Sequence, residues 1–220
     1  MGGTLRAALV DGALVGGHDE DLELARRHSR GDPRAFDEVY AGYAAMVYNL
    51  ALRLSGDGDE AADLTQEVFL RVYRHLGSFS GRAALKTWIF RVAVNHCRER
   101  LSRFRPLTVP LGEEADGPGT ARVADPRRGP EEQAVAADLG RQVAQGLARL
   151  PAPFREAVVL RDLQGLSYQE IAAVLGVRVG TVRSRIARGR EQLRALLDRR
   201  GTPAGAPAGA PGGHHGGMSS

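Results

Sequence analysis

The chain has 220 residues, a formal net charge of +4 and 43% apolar residues, which is enough for one or two globular domains with a buried core each. Its single cysteine, Cys97, excludes an internal disulfide. No apolar run reaches the roughly 18 residues a bilayer crossing needs, and the first 20 residues lack a signal-peptide pattern, so a soluble cytoplasmic protein is expected.

Residues 1–20 are glycine-rich and aperiodic, and disorder is expected there. From about Asp21 to Phe104 the pattern is helical, clearly interrupted only at "LSGDGDE" and "GSFSGR". Within it, Asp57, Asp59, Glu60, Asp63 and Glu67 form an acidic block without a cation. On a helix over 59–76, Leu64, Val68 and Val72 make a buried stripe. Asp63, Gln66, Glu67 and Leu70 share another face at i, i+3, i+4 and i+7. A polar patch with one exposed leucine suits a protein partner, although this spacing also fits a plain solvated face.

The next helix, from about Ala83 to Phe104, turns Leu85, Trp88, Ile89 and Val92 inward and Thr87, Arg91, Asn95 and Arg98 outward. Between Arg82 and Arg105 stand seven cations and one acid, including Lys86, the only lysine of the chain. Such a stripe can follow phosphates and reach base edges. His96 and Cys97 are adjacent, share no helix face and read as packing residues.

Residues 106–130 hold five prolines and four glycines, a flexible-linker composition. Its r.m.s. reach is roughly 25–30 Å and its full stretch about 80 Å. Helical periodicity resumes at 131–200, and 201–220 is a low-complexity tail expected to be disordered. The fold class is therefore all-α: two small helical domains, 21–105 and 131–200, joined by a flexible tether.

In the second domain, Phe154, Val158 and Leu163 form the expected face of a supporting helix. Ser167 and Glu170 have capping-box spacing, Ile171, Ala172 and Leu175 face inward, and Gly176 supplies the turn. In the following helix Val182, Ile186, Gly189 and Leu193 share one face; Gly180, Ser184, Ala187 and Arg188 lie opposite, with Thr181 and Arg183 at the edges. A buried seam behind a small, basic outer face fits a DNA major groove. The alternative is an αα-hairpin with a solvated basic face.

The stretches "DEAADLTQEVFLRVYRHLGSF", "LKTWIFRVAVNHCRER" and "LPAPFREAVVLRDLQGLSYQEIAAVLGVRVGTVRSRIARGREQLR" resemble, in order, the extracytoplasmic-function (ECF) group of the sigma-70 family. The resemblance implies that 21–105 is sigma domain two, which binds core RNA polymerase and the −10 element, and that 131–200 is sigma domain four, which reads the −35 element. It implies core contact, on the β′ clamp helices, through Asp63, Gln66, Glu67 and Leu70. It places −10 contacts on Phe79, Ser80, Lys86, Thr87, Trp88, Arg91, Asn95 and Arg98. In the second domain it implies base contacts by Arg183, Ser184 and Arg188 and phosphate contacts by Arg178, Thr181 and Arg185. The partners implied are core polymerase (β′ clamp helices and β flap), promoter DNA and an anti-sigma factor, with no membrane insertion, no cofactor, no metal and no enzymatic activity of its own. A stand-alone helix-turn-helix regulator is the competing expectation; it leaves the acidic block and the first basic helix unexplained.

Overall fold

The computed structural model describes residues 9–10, 13–14, 17–104 and 130–201. Of the expected linker (106–130) and tail (201–220), residues 106–129 and 202–220 lie outside the described residues, and Pro130 and Gly201 belong to helices. In the N-terminal stretch Leu9–Val10 (β1) pairs antiparallel with Ala13–Leu14 (β2), Leu9 opposite Leu14. Helix α1 (His18–Ser29) starts inside the segment expected to be disordered. Asp19, Glu20 and Asp21 stand at its positive end and Arg26, Arg27 and His28 at its negative end, which favours a helix despite the glycine-rich lead-in.

A further break, absent from the two expected from sequence, separates α1 from α2 (Pro33–Ser55). Gly31 takes φ +84°, Asp32 accepts the backbone N–H of Arg34 at 3.0 Å, and Pro33 opens the helix. Helix α3 (Gly58–His75) is capped by Asp57, which accepts from the Glu60 N–H at 2.8 Å. Its Leu64, Val68 and Val72 stripe is buried as expected, together with Thr65 and Phe69. After a 3-10 turn (Leu76–Ser78) and a loop, α4 runs Leu85–Phe104. Its first N–H, from Leu85, is satisfied by Asp21 Oδ2 at 2.8 Å, so a side chain of α1 caps α4 across the domain. Burial raises the Asp21 pKa, against the lowering effect of that bond.

The second domain contains α5 (Pro130–Arg149), α6 (Ala152–Val158), a π-helical turn (Val159–Leu163), α7 (Tyr168–Leu175) and α8 (Val179–Gly201). Helices α6 and α8 approach closely at Gly189, where a Cβ would stand 2.6 Å from Val158 Cγ2 and 3.2 Å from the Phe154 carbonyl oxygen. Leu163, expected on the inner face, is exposed. The π turn ends there, Gly165 reverses the chain at φ +70°, and Leu166 enters the core instead.

The two domains do not sit apart on their tether. One continuous core runs from Val39, Leu64 and Ile89 of the first to Leu160, Ile171 and Ile186 of the second. Helix α4 lies at the junction, packed on α2 and α3 on one side and on α7 on the other. That double contact buries Phe90, Ala93, Val94 and Cys97 as well as the expected Leu85 and Ile89.

Candidate functional site

On α3, Asp63, Gln66 and Leu70 are exposed, Leu70 at 56%. Glu67 shares their face but is engaged from behind. His96 Nε2 lies 2.6 Å from its Oε2, and Arg100 donates to its Oε1. Arg100 also stands 3.5 Å from Glu60. The acidic block therefore has a cation after all, contributed by α4 from more than thirty residues away in sequence. Burial pushes the Glu67 pKa up, but the bonds from His96 and Arg100, with the Arg100 charge, outweigh it and hold the carboxyl below its ordinary value. Beside Leu70 lies a ring patch that sequence reasoning passed over. Tyr40 and Tyr73 are each about half exposed, with Tyr40 set edge-on to Phe69 at 4.7 Å and Tyr73 edge-on to Phe36 at 5.0 Å. The signal was present in the i, i+4 spacing of Phe36 with Tyr40 and of Phe69 with Tyr73.

The expected outward stripe of α4 divides in two. Arg91 and Asn95 face solvent, as does Ser80 in the preceding loop. Thr87 is buried, and its Oγ1 makes a long 3.5 Å contact with Glu170 Oε1 of α7. Lys86 Nζ donates to the Gln164 carbonyl at 3.4 Å. Arg98 donates from Nε to Glu156 Oε1 at 2.7 Å and from Nη2 to Glu156 Oε2, a two-pronged pair with α6. Phe79 is nearly buried, packed edge-on to the half-buried Trp88 with ring centres 5.8 Å apart. Thr87 and Arg98 were thus expected on the outward stripe and Phe79 among the −10 contacts, whereas this arrangement buries Thr87 and Phe79 and occupies Arg98. Helical periodicity could not reveal this for Thr87 and Arg98, because the atoms that meet them belong to the other domain.

A further interdomain link adjoins the Arg98 pair. The buried Arg155 donates to the Leu54 carbonyl at the end of α2 and to the Leu150 carbonyl after α5 at 3.1 Å. It satisfies carbonyls that a helix end leaves open in each domain. Cys97 lies within the same junction, and burial, with the Glu156 charge adding to it, pushes its thiol up to about 12.

The helix-turn-helix forms as expected. Ser167 Oγ accepts from the Glu170 N–H at 3.2 Å, and Glu170 Oε2 accepts from the Ser167 N–H at 2.7 Å. Gly176 closes α7 at φ +66°. Val182, Ile186 and Gly189 are buried, with Leu193 partly so, while Arg178, Arg183, Ser184 and Arg188 are exposed and Thr181 and Arg185 half-buried. Tyr168 and Arg161, which sequence reasoning did not single out, border this face. The Arg161 and Arg183 guanidiniums lie 5.0 and 5.9 Å from the centre of the Tyr168 ring, and these residues line a cleft of about 300 Å³ at the start of α7. Arg190 braces α8 to the π turn through a two-pronged pair with Asp162. Among the described residues the molecule is thus almost entirely helical, with a helix-turn-helix whose outer face is basic and an exposed polar and aromatic face on α3.

The Sigma-70 region 2 family model matches residues 39–105, and the Sigma-70, region 4 model matches 140–193. The chain is 36% identical over 178 residues to the RNA polymerase sigma-H factor of Pseudomonas aeruginosa, spanning 80% of this chain and 92% of that one. It is 40% identical over 194 residues to the ECF RNA polymerase sigma factor SigE of Mycolicibacterium smegmatis, spanning 86% and 72%. A solved structure of the sigma factor RpoE with the anti-sigma factor NepR from Bartonella quintana superposes with a TM-score of 0.56 at 25% identity, over 74% of this chain and 96% of that one. The chain belongs to the ECF group of the sigma-70 family. Its function is that of an alternative sigma factor, which binds core RNA polymerase and directs promoter recognition, −10 melting and transcription initiation; the stand-alone regulator gives way to this.

Proposed function

We propose that the three surfaces divide this work as follows. Asp63, Gln66, Glu67 and Leu70 bind core polymerase at the β′ clamp helices, with Glu67 oriented by His96 and Arg100. Ser80, Lys86, Thr87, Trp88, Arg91, Asn95 and Arg98, with Phe79 supporting Trp88, hold the −10 element once its bases leave the stack. Arg183, Ser184 and Arg188 read −35 base edges, Arg178, Thr181 and Arg185 hold phosphates, and the second domain rests on the β flap. Polymerisation chemistry belongs to the core enzyme, and the factor works in the cytoplasm under an anti-sigma factor. Among the described residues no helix is long and apolar enough to cross a membrane.

The observation that carries this reading is the α8 outer face: small, basic and exposed on a helix held by its own buried seam, behind an α7 that is fixed by a capping box and a left-handed turn. Transcription in vitro from genomic DNA tests it. Core polymerase with the factor should initiate at a discrete set of promoters, and Asp63→Arg should abolish both initiation and core pull-down at unchanged thermal stability. Retention of core by Asp63→Arg would move the core contact off this face.

A further inference from the structure

Two arginines of α8 are held from the side of α7 and the π turn, and they are held differently. Arg190 gives Nε to Asp162 Oδ2 at 3.0 Å and Nη2 to Asp162 Oδ1, so one edge of its guanidinium is taken by a carboxylate. Arg183 stands about two turns earlier on the same side of the helix. It is exposed, and its guanidinium lies over the Tyr168 ring, 5.9 Å from the centre, with no carboxylate partner among the described contacts.

The ring itself is fixed. Tyr168 is the first residue of α7 and lies inside the Ser167–Glu170 capping box, which sets its backbone. Its side chain is half-buried and packs on the core. Arg161 of the π turn supports it: Nη1 donates to the Leu166 carbonyl at 2.8 Å, and the guanidinium lies over the same ring at 5.0 Å. Backbone, core and Arg161 together decide where the ring stands.

A ring and a carboxylate leave an arginine with different capacities. The guanidinium donors lie in its plane, whereas a ring meets its face. An arginine held by a carboxylate has given up donors; one held by its face keeps them. Bidentate reading of a guanine edge requires those donors. It also requires that a long side chain be ordered, a cost that prior placement reduces.

We propose that Tyr168 is a positioning residue for −35 recognition: its ring holds Arg183 by the face, so the guanidinium meets DNA already placed and with its donors free. The ring does this, not the hydroxyl, and Tyr168 reads no base itself. This rests on the assignment of Arg183 to a −35 base edge.

The test uses holoenzyme, the full chain with core polymerase. The probe is a labelled promoter duplex from a site at which wild-type holoenzyme initiates, together with every single base-pair change across its −35 element. Arg183→Ala locates the base pair that Arg183 reads, as the position where discrimination is lost. Tyr168→Leu should weaken binding of the parent duplex about two- to fivefold, the worth of an exposed cation–π contact, and should lose discrimination at that same base pair. Tyr168→Phe, which keeps the ring, should match the wild type. In the Arg183→Ala background, Tyr168→Leu should change nothing further. Full discrimination in Tyr168→Leu, with Arg183→Ala still losing it, overturns the proposal and leaves the base-reading assignment standing. A loss in Tyr168→Phe equal to that in Tyr168→Leu, and even over all base variants, makes the hydroxyl a backbone contact and overturns the proposal as well. Arg183→Ala without effect at any position overturns the assignment, and the proposal with it. Should Tyr168→Leu lose helical signal, Tyr168→Met, longer and still without a ring, takes its place with the same outcomes expected.

Discussion

Helices α4 and α8 are built alike. Each spans twenty or more residues, turns an apolar seam toward its own domain and carries arginines on the opposite side. In α8 that opposite side is open to solvent from Gly180 through Arg188. In α4 it is covered at Thr87, occupied at Arg98 and open only at Arg91 and Asn95. A basic helix face is thus available or unavailable according to whether another part of the chain can offer it carboxylates. The second domain carries Glu156 and Glu170 at the junction, whereas no acid of the first domain is placed against the Arg183–Arg188 face among the described contacts.

The sharpest way to break this contrast is to cut a covered and an open position of the same stripe. Arg98→Ala leaves Glu156 buried and unpaired. Loss of one partner from a fully buried pair costs about 3–5 kcal/mol, and with Arg98 itself 37% exposed, about 2–3 kcal/mol is expected in urea unfolding. Arg91→Ala, one helical face away in solvent, should stay within about 0.5 kcal/mol. Equal losses would mean that the covered and open halves of α4 do not differ energetically.

Arg188→Ala asks the complementary question on the open helix. Its stability should be unchanged, while binding to −35 duplexes should lose about 1–3 kcal/mol at the base pair it contacts. A loss spread evenly over all base variants would make Arg188 a phosphate contact and remove the base-reading role from this face.

Gly189 and Gly180 compare the buried and open sides of α8 itself. Gly189→Ala drives a Cβ into Val158 and the Phe154 carbonyl and should cost about 1–3 kcal/mol, with −35 affinity falling as α8 is displaced from α6. Gly180→Ala meets no atom within 4 Å and should be neutral or slightly stabilising, as alanine is the better helix former. Matching melting temperatures for the two variants would contradict the close α6–α8 approach.

The smallest effect expected is on pH dependence. Burial raises the Glu170 pKa, but the bonds from Ser167, the Lys86 charge and the Thr87 contact together hold it below its ordinary value. A depressed carboxyl pKa contributes stability above the unfolded value, near 4.3, and loses it as pH falls through the lower folded value. Energy transfer between dyes on Glu23→Cys and Glu191→Cys, both exposed and one in each domain, should therefore hold at neutral pH and decline below about pH 4. Glu67, shifted in the same direction by His96 and Arg100, adds to the acid loss within the first domain. An unchanged interdomain distance down to the acid unfolding transition would remove Glu170 from the junction.

Much of the fold was legible because its signals are local. The α3 stripe of Leu64, Val68 and Val72, the Ser167–Glu170 cap, the Gly176 turn and the α8 seam each rest on residues three or four apart, and each appears where expected. The break at Gly31–Pro33 was legible too, in an Asp-Pro start signal that the apolar periodicity on either side obscured. The candidate sites were legible as helix faces. Their state was not: neither the pairing of Glu67 with Arg100, nor the pairing of Arg98 with Glu156, nor the burial of Thr87 and Phe79 leaves a trace in spacing along one helix.

By itself the sequence determined two helical units, the positions of their caps and turns, and two helices with basic outer faces. Those follow from hydrogen bonds and side-chain spacing within a few residues, which are the same wherever the helix is placed. Only the tertiary structure decided which faces stay open. Apolar residues such as Phe90, Val94 and Leu160 attract without direction or partner choice. A residue fifty-eight positions away, Glu156 from Arg98, becomes a neighbour only once those apolar surfaces have joined the two domains.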